Sequence, residues 1–187
     1  MEFNVISTAL PDMLVLESQM FGDARGFFLE SYNDKAFREA TGSELAFVQD
    51  NHSRSMQRGV LRGLHYQIEK AQGKLVRVVH GRIFDVGVDL RRDSPNFGRW
   101  AGVELSGDAP QRMIWIPPGF AHGFVVLSES ADFLYKTTEY YAPEHERYII
   151  WNDPDIGIEW PQTGLGEPLL SARDQKGKLL KDAEVYA

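Results

Sequence analysis

Between residues 47 and 160 the chain is a series of short apolar runs separated by Gly, Pro, Asp or Ser, and this pattern limits the possible folds most strongly. In the run RIFDVGVDL, every second residue from 84 to 90 is apolar, whereas Asp85 and Asp89 belong to the alternate set. A period of two is typical of β-strands with one buried face. Because no helical pattern intervenes between these runs, they predict an all-β sandwich or barrel.

Turn and cap residues indicate how the runs are joined. His80-Gly81 predicts a hairpin turn between two alternating runs, and residues 128–132 predict a second turn. The clearest helix is NDKAFREATG, in which Asn33 can cap the first amides and Gly42 can end the last turn. Helices should therefore be few, short and peripheral. The tail DQKGKLLKDAEVYA predicts either a helix or a frayed end.

Length and charge narrow the range of functions. With 187 residues and no visible linker, we expect one domain over residues 1–187, with its core at about 47–160. The formal net charge of −7 argues against a general nucleic-acid binder, which would carry a basic stripe. A small anionic ligand needs only a local basic cluster. Such a cluster is formed in the sequence by Arg58, Arg62, Lys74 and Arg77.

Two absences bear on the cellular setting. The sequence contains no cysteine, which excludes disulfides and cysteine metal sites and favours a reducing compartment. Its start, MEFNVISTALPDML, has no basic leader followed by a long apolar segment, and no apolar run is long enough to span a bilayer. We therefore expect a cytoplasmic protein without a membrane partner.

Five histidines are candidate chemical groups, at positions 52, 65, 80, 122 and 145. His80 and His145 lie in turn-like contexts and His52 lies in VQDNHS, so ordinary solvent-exposed positions are the simpler interpretation for these three. His65 and His122 differ from them. A glycine lies two residues before His65, and IPPGFAHGF surrounds His122, so the backbone at both positions is shaped by residues of unusual conformation.

The motifs LHYQ and PPGFAHGF resemble the paired motifs of the cupin superfamily, which are small jelly-roll barrels. Many cupins bind a metal through an H-x-H pair, a glutamate and a third histidine. In this sequence Gln67 replaces the second histidine, and Lys74 lies where the glutamate would be. A lysine ammonium has no lone pair for a metal and repels it. We therefore predict that the site binds no metal.

A closer resemblance, to the dTDP-4-dehydrorhamnose 3,5-epimerase family, covers nearly the whole chain. Eight stretches carry it in one order: FGDARGFFLESYN, FVQDNHSRS, VLRGLHYQ, QGKLVRVVHGRIFDVGVDLR, SPNFGRW, WIPPGFAHGF, FLYKTTEYYAPEHE and WNDPDIGIEWP. Each motif alone is modest, but their common order is specific. The resemblance implies a cupin-type jelly-roll barrel or sandwich. It also implies a homodimer in which N-terminal strands are exchanged and some ligand contacts cross the interface.

The chemistry that the resemblance implies agrees with the residue types. Epimerisation next to a ketone needs a base for the α-proton, a cation for the enolate oxygen and an acid on the other face. By resemblance, His65 is the base, Asp174 is its carboxylate partner, Lys74 stabilises the enolate and Tyr135 is the acid. The sequence leaves open whether Asp174 reaches His65. Without the resemblance, Tyr135 would be interpreted as a barrel-wall residue and Lys74 as a solvated strand residue.

The resemblance also assigns residues that recognise a nucleotide. Arg25 and Arg62, with the amides Gln49 and Asn51, would hold the diphosphate, Phe21 and Tyr141 would sandwich thymine, Glu30 would contact its edge, and His122 would contact the sugar or phosphate. In an ideal strand Arg62 and His65 point to opposite faces, because they are an odd number of positions apart. We predict that Gly63 permits a β-bulge that turns both inward. Tyr135 and Tyr141 share strand parity and should face the same side.

Taken together, these features predict a homodimeric epimerase without metal or cofactor, acting at C3 and C5 of dTDP-4-dehydro-6-deoxy-D-glucose on the route to dTDP-L-rhamnose. Three alternatives remain. The first is an epimerase of the same family that acts at one carbon only. The second is a metal-dependent cupin oxygenase, and the third is a non-catalytic module that binds a sugar nucleotide.

Overall fold

The alternating runs form two β-sheets that pack face to face in the computed structural model, which describes residues 2–187. The strands are β1 Asn4–Ser7, β2 Leu14–Glu17, β3 Met20–Asp23, β4 Gly26–Leu29, β5 Gln49–Ser55, β6 Leu61–Gln67, β7 Lys74–His80, β8 Arg82–Asp89, β9 Trp100–Ser106, β10 Arg112–Ile116, β11 Phe120–Val126, β12 Ala131–Thr137 and β13 Glu146–Tyr148. The all-β prediction is therefore confirmed.

The two sheets have the strand orders β1-β2-β10-β7-β12-β5 and β13-β6-β11-β8-β9. From β5 to β8, consecutive strands lie in alternate sheets, as in a jelly roll, and the sheets form a sandwich. The prediction of a hairpin at His80-Gly81 is wrong. The chain turns at Gly81, but β7 pairs with β10 and β12, whereas β8 pairs with β9 and β11 in the other sheet. The turn at residues 128–132 likewise joins strands of different sheets.

The apolar core lies between the sheets, and its members come from alternate positions of the strands. On β8, Ile83 faces this inner core. Val86 and Val88 lie on the opposite face of the strand, as the alternation predicts, and are buried there in a second apolar layer. Other inner residues that are at least 96% buried include Val76, Val78, Ile114, Phe124 and Phe133. Full burial of a side chain of this size contributes about 1.5–3 kcal/mol, so these contacts dominate the stability of the sandwich.

Peripheral segments cover the outer faces of both sheets. The predicted helix is confirmed as α1, Asp34–Thr41, in which the Asn33 side chain accepts the Ala36 N–H and Gly42 ends the helix with φ 68°. Its buried Phe37 packs against the six-stranded sheet. The tail is not frayed and forms no continuous helix: it contains two short 3₁₀ helices, Asp174–Lys176 and Leu180–Asp182, in a segment that packs on the five-stranded sheet.

The hairpin of β3 and β4 is a separate two-stranded sheet that pairs with neither main sheet. Its Phe21, Phe27 and Phe28 are 53%, 61% and 70% exposed, which is unusual for residues that normally lie inside proteins. β1, in contrast, pairs with β2, and β2 pairs with β10 of the same chain. Among residues 2–187, no helix combines the length and apolar composition needed to cross a bilayer.

Candidate active site

A polar cluster interrupts the apolar inner face of the five-stranded sheet. His65 on β6 and His122 on β11 are directly opposed in the antiparallel pair, so both side chains lie on one face. Their neighbours Leu64, Tyr66 and Ala121 pack into the outer apolar layer, which places both histidines on the inner face. His65 keeps a third of its side chain exposed, so a ligand can reach it from solvent.

The predicted β-bulge is present in β6. His122 pairs with His65 and Phe124 pairs with Arg62, so two residues of β6 oppose the single Gly123 of β11. Because opposed residues share a face and Phe124 belongs to the inner core, the bulge brings Arg62 to the same face as His65. Gly63 allows this arrangement: its φ is +127°, and an added Cβ would lie 2.5 Å from the Gly123 Cα.

Asp174 does contact His65, across 109 positions of sequence. Its Oδ1 lies 2.6 Å from the His65 Nε2 and also accepts the Gly63 N–H at 3.1 Å, while Ser171 donates to Oδ2 at 2.6 Å. Burial opposes the charge of Asp174, but the hydrogen bonds from His65 and Ser171 outweigh it and lower its pKa to about 2. An ionised carboxylate only accepts hydrogen bonds, so Nε2 carries the proton and the neutral ring has its basic lone pair at Nδ1.

His122 has a carboxylate partner that the sequence interpretation missed. Its Nε2 lies 3.0 and 2.9 Å from the two oxygens of Asp85, which is fully buried. Burial lowers the pKa of His122, although the charge of Asp85 opposes this shift, so the ring is neutral at neutral pH. The alternation in RIFDVGVDL places Asp85 on the face opposite Val86 and Val88, and the packing of the two sheets makes this the inner face, where a carboxylate needs a polar partner.

Lys74 and Tyr135 come from the six-stranded sheet. Burial lowers the pKa of Lys74 to about 8, although the negative charges of Asp85 and Glu146 oppose this shift. Burial raises the pKa of Tyr135, and the charge of Glu146 adds to the effect, so the phenol keeps its proton at neutral pH. Its ring stacks on Phe133 of the inner core at 5.4 Å. The site therefore offers one cation and one proton donor opposite the histidines.

Two amide side chains of β5 extend the site along the six-stranded sheet. Asn51 is directly opposed to Tyr135, and its Oδ1 accepts the Gln49 Nε2 at 2.8 Å. The Asn51 Nδ2 is buried and has no hydrogen-bond partner within residues 2–187. Because an unpaired buried donor costs about 1–3 kcal/mol, this amide is suited to donate to a ligand oxygen.

Tyr141 lies outside any strand, because β12 ends at Thr137, so the parity argument for its direction does not apply. Its hydroxyl nevertheless donates to the Glu146 Oε2 at 3.0 Å, and the Tyr148 hydroxyl donates to the same oxygen. The ring of Tyr148 stands edge-on to His65 at 5.0 Å. Glu146 thus links the segment of Tyr141 to the strand beside His65.

The sequence interpretation also missed Glu146, Tyr148 and Arg173. Arg173 immediately precedes Asp174, and its Nη1 lies 3.5 Å from the Glu146 carboxylate. Two of them lie within or beside motifs that were recognised, since Glu146 ends FLYKTTEYYAPEHE and Arg173 precedes Asp174 in SARD. No role was assigned to them, because nothing local shows that strand β13 pairs with β6.

Three of the proposed nucleotide contacts lie away from this cluster. Phe21 and Arg25 belong to the exposed hairpin, where Arg25 pairs with Asp23 at 2.5 Å. Glu30 follows the hairpin and accepts a hydrogen bond from Asn33 at 3.2 Å. The protomer alone therefore assembles the catalytic candidates without these three.

The remaining histidines lie outside the cluster. His52 and His80 are exposed, as expected, and His52 contacts Asp132 at 2.8 Å. His145 is half-buried, which differs from the expected exposed position, because it packs in the 3₁₀ turn Pro143–His145. Within residues 2–187, no three His, Asp or Glu side chains are grouped so that they could hold a metal ion.

Comparison with known proteins gives a consistent result. The family model for dTDP-4-dehydrorhamnose 3,5-epimerase matches residues 7–182. A dTDP-4-dehydrorhamnose 3,5-epimerase from Pseudomonas aeruginosa is 61% identical over 178 residues, covering 95% of this chain and 96% of that protein. A crystal structure of dTDP-6-deoxy-D-glucose-3,5-epimerase from Legionella pneumophila, in complex with dTDP-4-keto-L-rhamnose, has a TM-score of 0.93 at 50% identity, covering 98% of this chain and 95% of that chain. A dTDP-4-dehydrorhamnose 3-epimerase from Streptomyces niveus is 41% identical over 162 residues, covering 86% of this chain and 76% of that protein.

Proposed function

Because the chain belongs to the dTDP-4-dehydrorhamnose 3,5-epimerase family, we propose that it epimerises dTDP-4-dehydro-6-deoxy-D-glucose at C3 and C5. The product is dTDP-4-dehydro-L-rhamnose. The observation that carries this proposal is the 2.6 Å contact between the His65 Nε2 and the Asp174 carboxylate. It leaves Nδ1 as a basic lone pair on the face shared with the other polar groups of the site.

Each proton transfer has a residue suited to it. The His65 Nδ1 removes the proton from the carbon next to the C4 ketone, and the electron pair of that C–H bond moves into the ketone to form an enolate. The Lys74 ammonium stabilises the enolate oxygen. The Tyr135 hydroxyl then donates its proton to the opposite face of the carbon, and solvent exchange returns His65 and Tyr135 to their starting forms. The same groups act at the second α-carbon.

Recognition of the nucleotide uses fixed donors around this centre. Arg62 and the amides of Gln49 and Asn51 hold the diphosphate, and His122 contacts the sugar or phosphate. The unpaired Asn51 Nδ2 supports this role, because a phosphate oxygen would satisfy it. Tyr141 stacks on thymine through one face of its ring, which is half exposed.

The hairpin of β3 and β4 completes the site of a second copy. Phe21 and Arg25 lie on this hairpin and Glu30 follows it, and none of the three joins the catalytic cluster of its own protomer. Three phenylalanines of the hairpin are more than half exposed, which is costly unless another surface covers them. In the homodimer, Phe21 of one protomer forms the second half of the thymine sandwich with Tyr141 of its partner.

Proton NMR with dTDP-4-dehydro-6-deoxy-D-glucose in D₂O tests the proposed reaction. The H3 and H5 signals should both decay as deuterium enters, and His65→Ala should abolish both exchanges. Exchange at one carbon only would replace the proposal with an epimerase that acts at a single position, as the name of the Streptomyces niveus relative describes for that protein. Exchange at neither carbon, with dTDP still bound, would identify a binding module.

The same samples test the oxygenase alternative. Lys74 stands where a metal-binding cupin has its glutamate, and the Asp174 and Asp85 carboxylates already contact the rings of His65 and His122. We therefore expect the reaction to proceed through side chains alone. Turnover should therefore be unchanged after incubation with a strong chelator. Loss of activity with chelator, restored by iron, would contradict the proposed mechanism.

A further inference from the structure

Gln67, at the end of β6, has a role that its sequence position does not reveal. It is only 3% exposed, and every polar group of its amide is engaged. The Nε2 donates to the carbonyl oxygens of Lys70 at 2.8 Å and Tyr140 at 3.2 Å, and Oε1 accepts the Ala142 N–H at 2.8 Å. The amide thus joins three backbone groups that no strand ladder pairs.

Two of these groups flank Tyr141. The Tyr140 carbonyl precedes it and the Ala142 N–H follows it, so one buried side chain holds the backbone on both sides of this residue. The Tyr141 N–H itself donates to the Gln49 Oε1 at 3.0 Å. Because β12 ends four positions earlier at Thr137, side chains rather than a neighbouring strand fix this segment.

We propose that Gln67 is a positioning residue that fixes the ring of Tyr141 where it meets the nucleobase. This inference rests on the proposed function, in which Tyr141 stacks on thymine. A segment ordered before the ligand arrives loses less conformational freedom on binding, so the anchor strengthens nucleotide binding. Gln67 also lies two residues from His65 on the same strand, so one strand carries both the anchor of the nucleobase contact and the proposed catalytic histidine.

A double-mutant cycle on dTDP binding tests this role. Gln67→Met keeps the length of the side chain and removes all three hydrogen bonds, whereas Tyr141→Leu removes the ring. Gln67→Met should weaken dTDP binding about tenfold, which corresponds to the loss of roughly 1.4 kcal/mol, and leave kcat within about threefold of wild type. If Gln67 acts through Tyr141, the double variant should bind dTDP no more weakly than Tyr141→Leu alone.

Several outcomes would overturn the inference. One is a double variant whose loss of dTDP affinity equals the product of the losses in the two single variants. Another is a fall in kcat in Gln67→Met with unchanged dTDP binding. If Gln67→Met does not fold, Gln67→Glu supplies the same test, because it keeps the acceptor for Ala142 and loses the donor to Tyr140. Rescue of binding in Gln67→Glu to the wild-type level would also contradict the role, since both Nε2 bonds are absent.

A matched control uses Gln111, which is 8% exposed and donates from Nε2 to the Gly107 and Asp108 carbonyls far from Tyr141. Gln111→Met should lower stability without changing dTDP affinity. A loss of dTDP affinity equal to that of Gln67→Met would mean that general loosening explains the effect. Because dTDP binding is measured without turnover, this test gives a result even if the proposed epimerase reaction does not occur.

Discussion

The charge of Lys74 is the residue-scale property on which the proposed chemistry depends most. A lysine in water keeps its proton up to about pH 10, but burial brings the pKa of Lys74 to about 8. Asp85 and Glu146 limit this shift by favouring the charged form. The enolate oxygen therefore meets an ammonium group at neutral pH, and that group is already partly stripped of water, which strengthens its effect.

Activity should fall above about pH 8, where Lys74 loses its proton. The ammonium is the active form and is present below its pKa, so kcat/KM should decline as the pH rises above about 8. The pKa of Tyr135 is raised from its ordinary value, so the phenol does not cause this decline. In Lys74→Arg the guanidinium stays charged, and the residual activity should be level from pH 7.5 to 9.5. The same decline in Lys74→Arg would contradict the assignment.

Asp174→Asn should lower kcat on the order of a hundredfold or more and leave dTDP binding nearly unchanged. The carboxylate fixes the Nε2–H tautomer and stabilises the imidazolium that forms, whereas an amide can donate to Nε2 and favour the wrong tautomer. Steady-state kinetics and calorimetric titration with dTDP measure the two effects. Asp132→Asn is the matched control, because Asp132 contacts His52 on the outer face of the other sheet. Equal losses in both variants would contradict a specific role for Asp174.

At the scale of the element, the bulge in β6 makes one strand serve two functions. A regular strand would place Arg62 and His65 on opposite faces, and only one of them could reach the ligand. The extra residue lets Arg62, the proposed diphosphate contact, and His65, the proposed base, share the inner face. The Asp174 carboxylate also accepts the Gly63 N–H, so the irregular backbone is part of the catalytic arrangement.

Gly63→Ala should destabilise the protein by about 3 kcal/mol or more and remove activity, because a methyl group cannot fit against Gly123 at a φ of +127°. Thermal unfolding measures the loss. Gly164→Ala is the control, since its φ of +80° is also left-handed but nothing lies within 4 Å of the added Cβ. That substitution should cost only about 1 kcal/mol. Equal costs at both positions would show that the close approach to β11 is unimportant.

The sequence predicted those elements whose cause is local. The capped helix depends on Asn33 and Gly42, and the faces of β8 depend on alternation within nine residues, so both were correct. The hairpin at His80-Gly81 was wrong, because a tight turn can join paired strands or strands of opposite sheets. Pairing of β7 with β10 and β12 decides between them, and no residue near the turn reports it.

The same limit applies to the site. The bulge followed from the chemistry required of Arg62 and His65, whereas Asp85 and Glu146 were missed. A carboxylate on a strand looks the same in sequence whether it faces water or a buried histidine. Only the register of β11 against β8 brings His122 to Asp85, and this register is a property of the assembled sheet.

At the scale of the whole molecule, the hairpin would make the proposed site a shared property of two chains in the proposed homodimer. Its exposed phenylalanines lie beyond the main sheets, so the protomer presents an apolar surface that a second copy would cover. The catalytic groups are nevertheless assembled within one chain. We therefore expect a separated protomer to retain the His65–Asp174 pair and to bind nucleotide weakly.

Mixed dimers test whether the hairpin crosses. His65→Ala and Arg25→Ala homodimers should both be strongly impaired. If the hairpin of one chain enters the site of the other, a dimer with one chain of each variant has one intact site and one doubly altered site, and should regain about half of wild-type activity. Purification through two different tags isolates this species. No regain of activity would contradict the exchange, as would a monomer in analytical ultracentrifugation.

Asp174 reaches His65 from a segment that follows the last strand of the sandwich. During translation, all strands of the sandwich have been synthesised once Tyr148 has been added, whereas Asp174, the proposed partner of the base, is added only after a further segment. The nascent protein can thus build its scaffold before it can perform the reaction. Proteolytic clipping between Tyr148 and Asp174 should therefore abolish turnover, because it separates the strand that carries His65 from the carboxylate that contacts it.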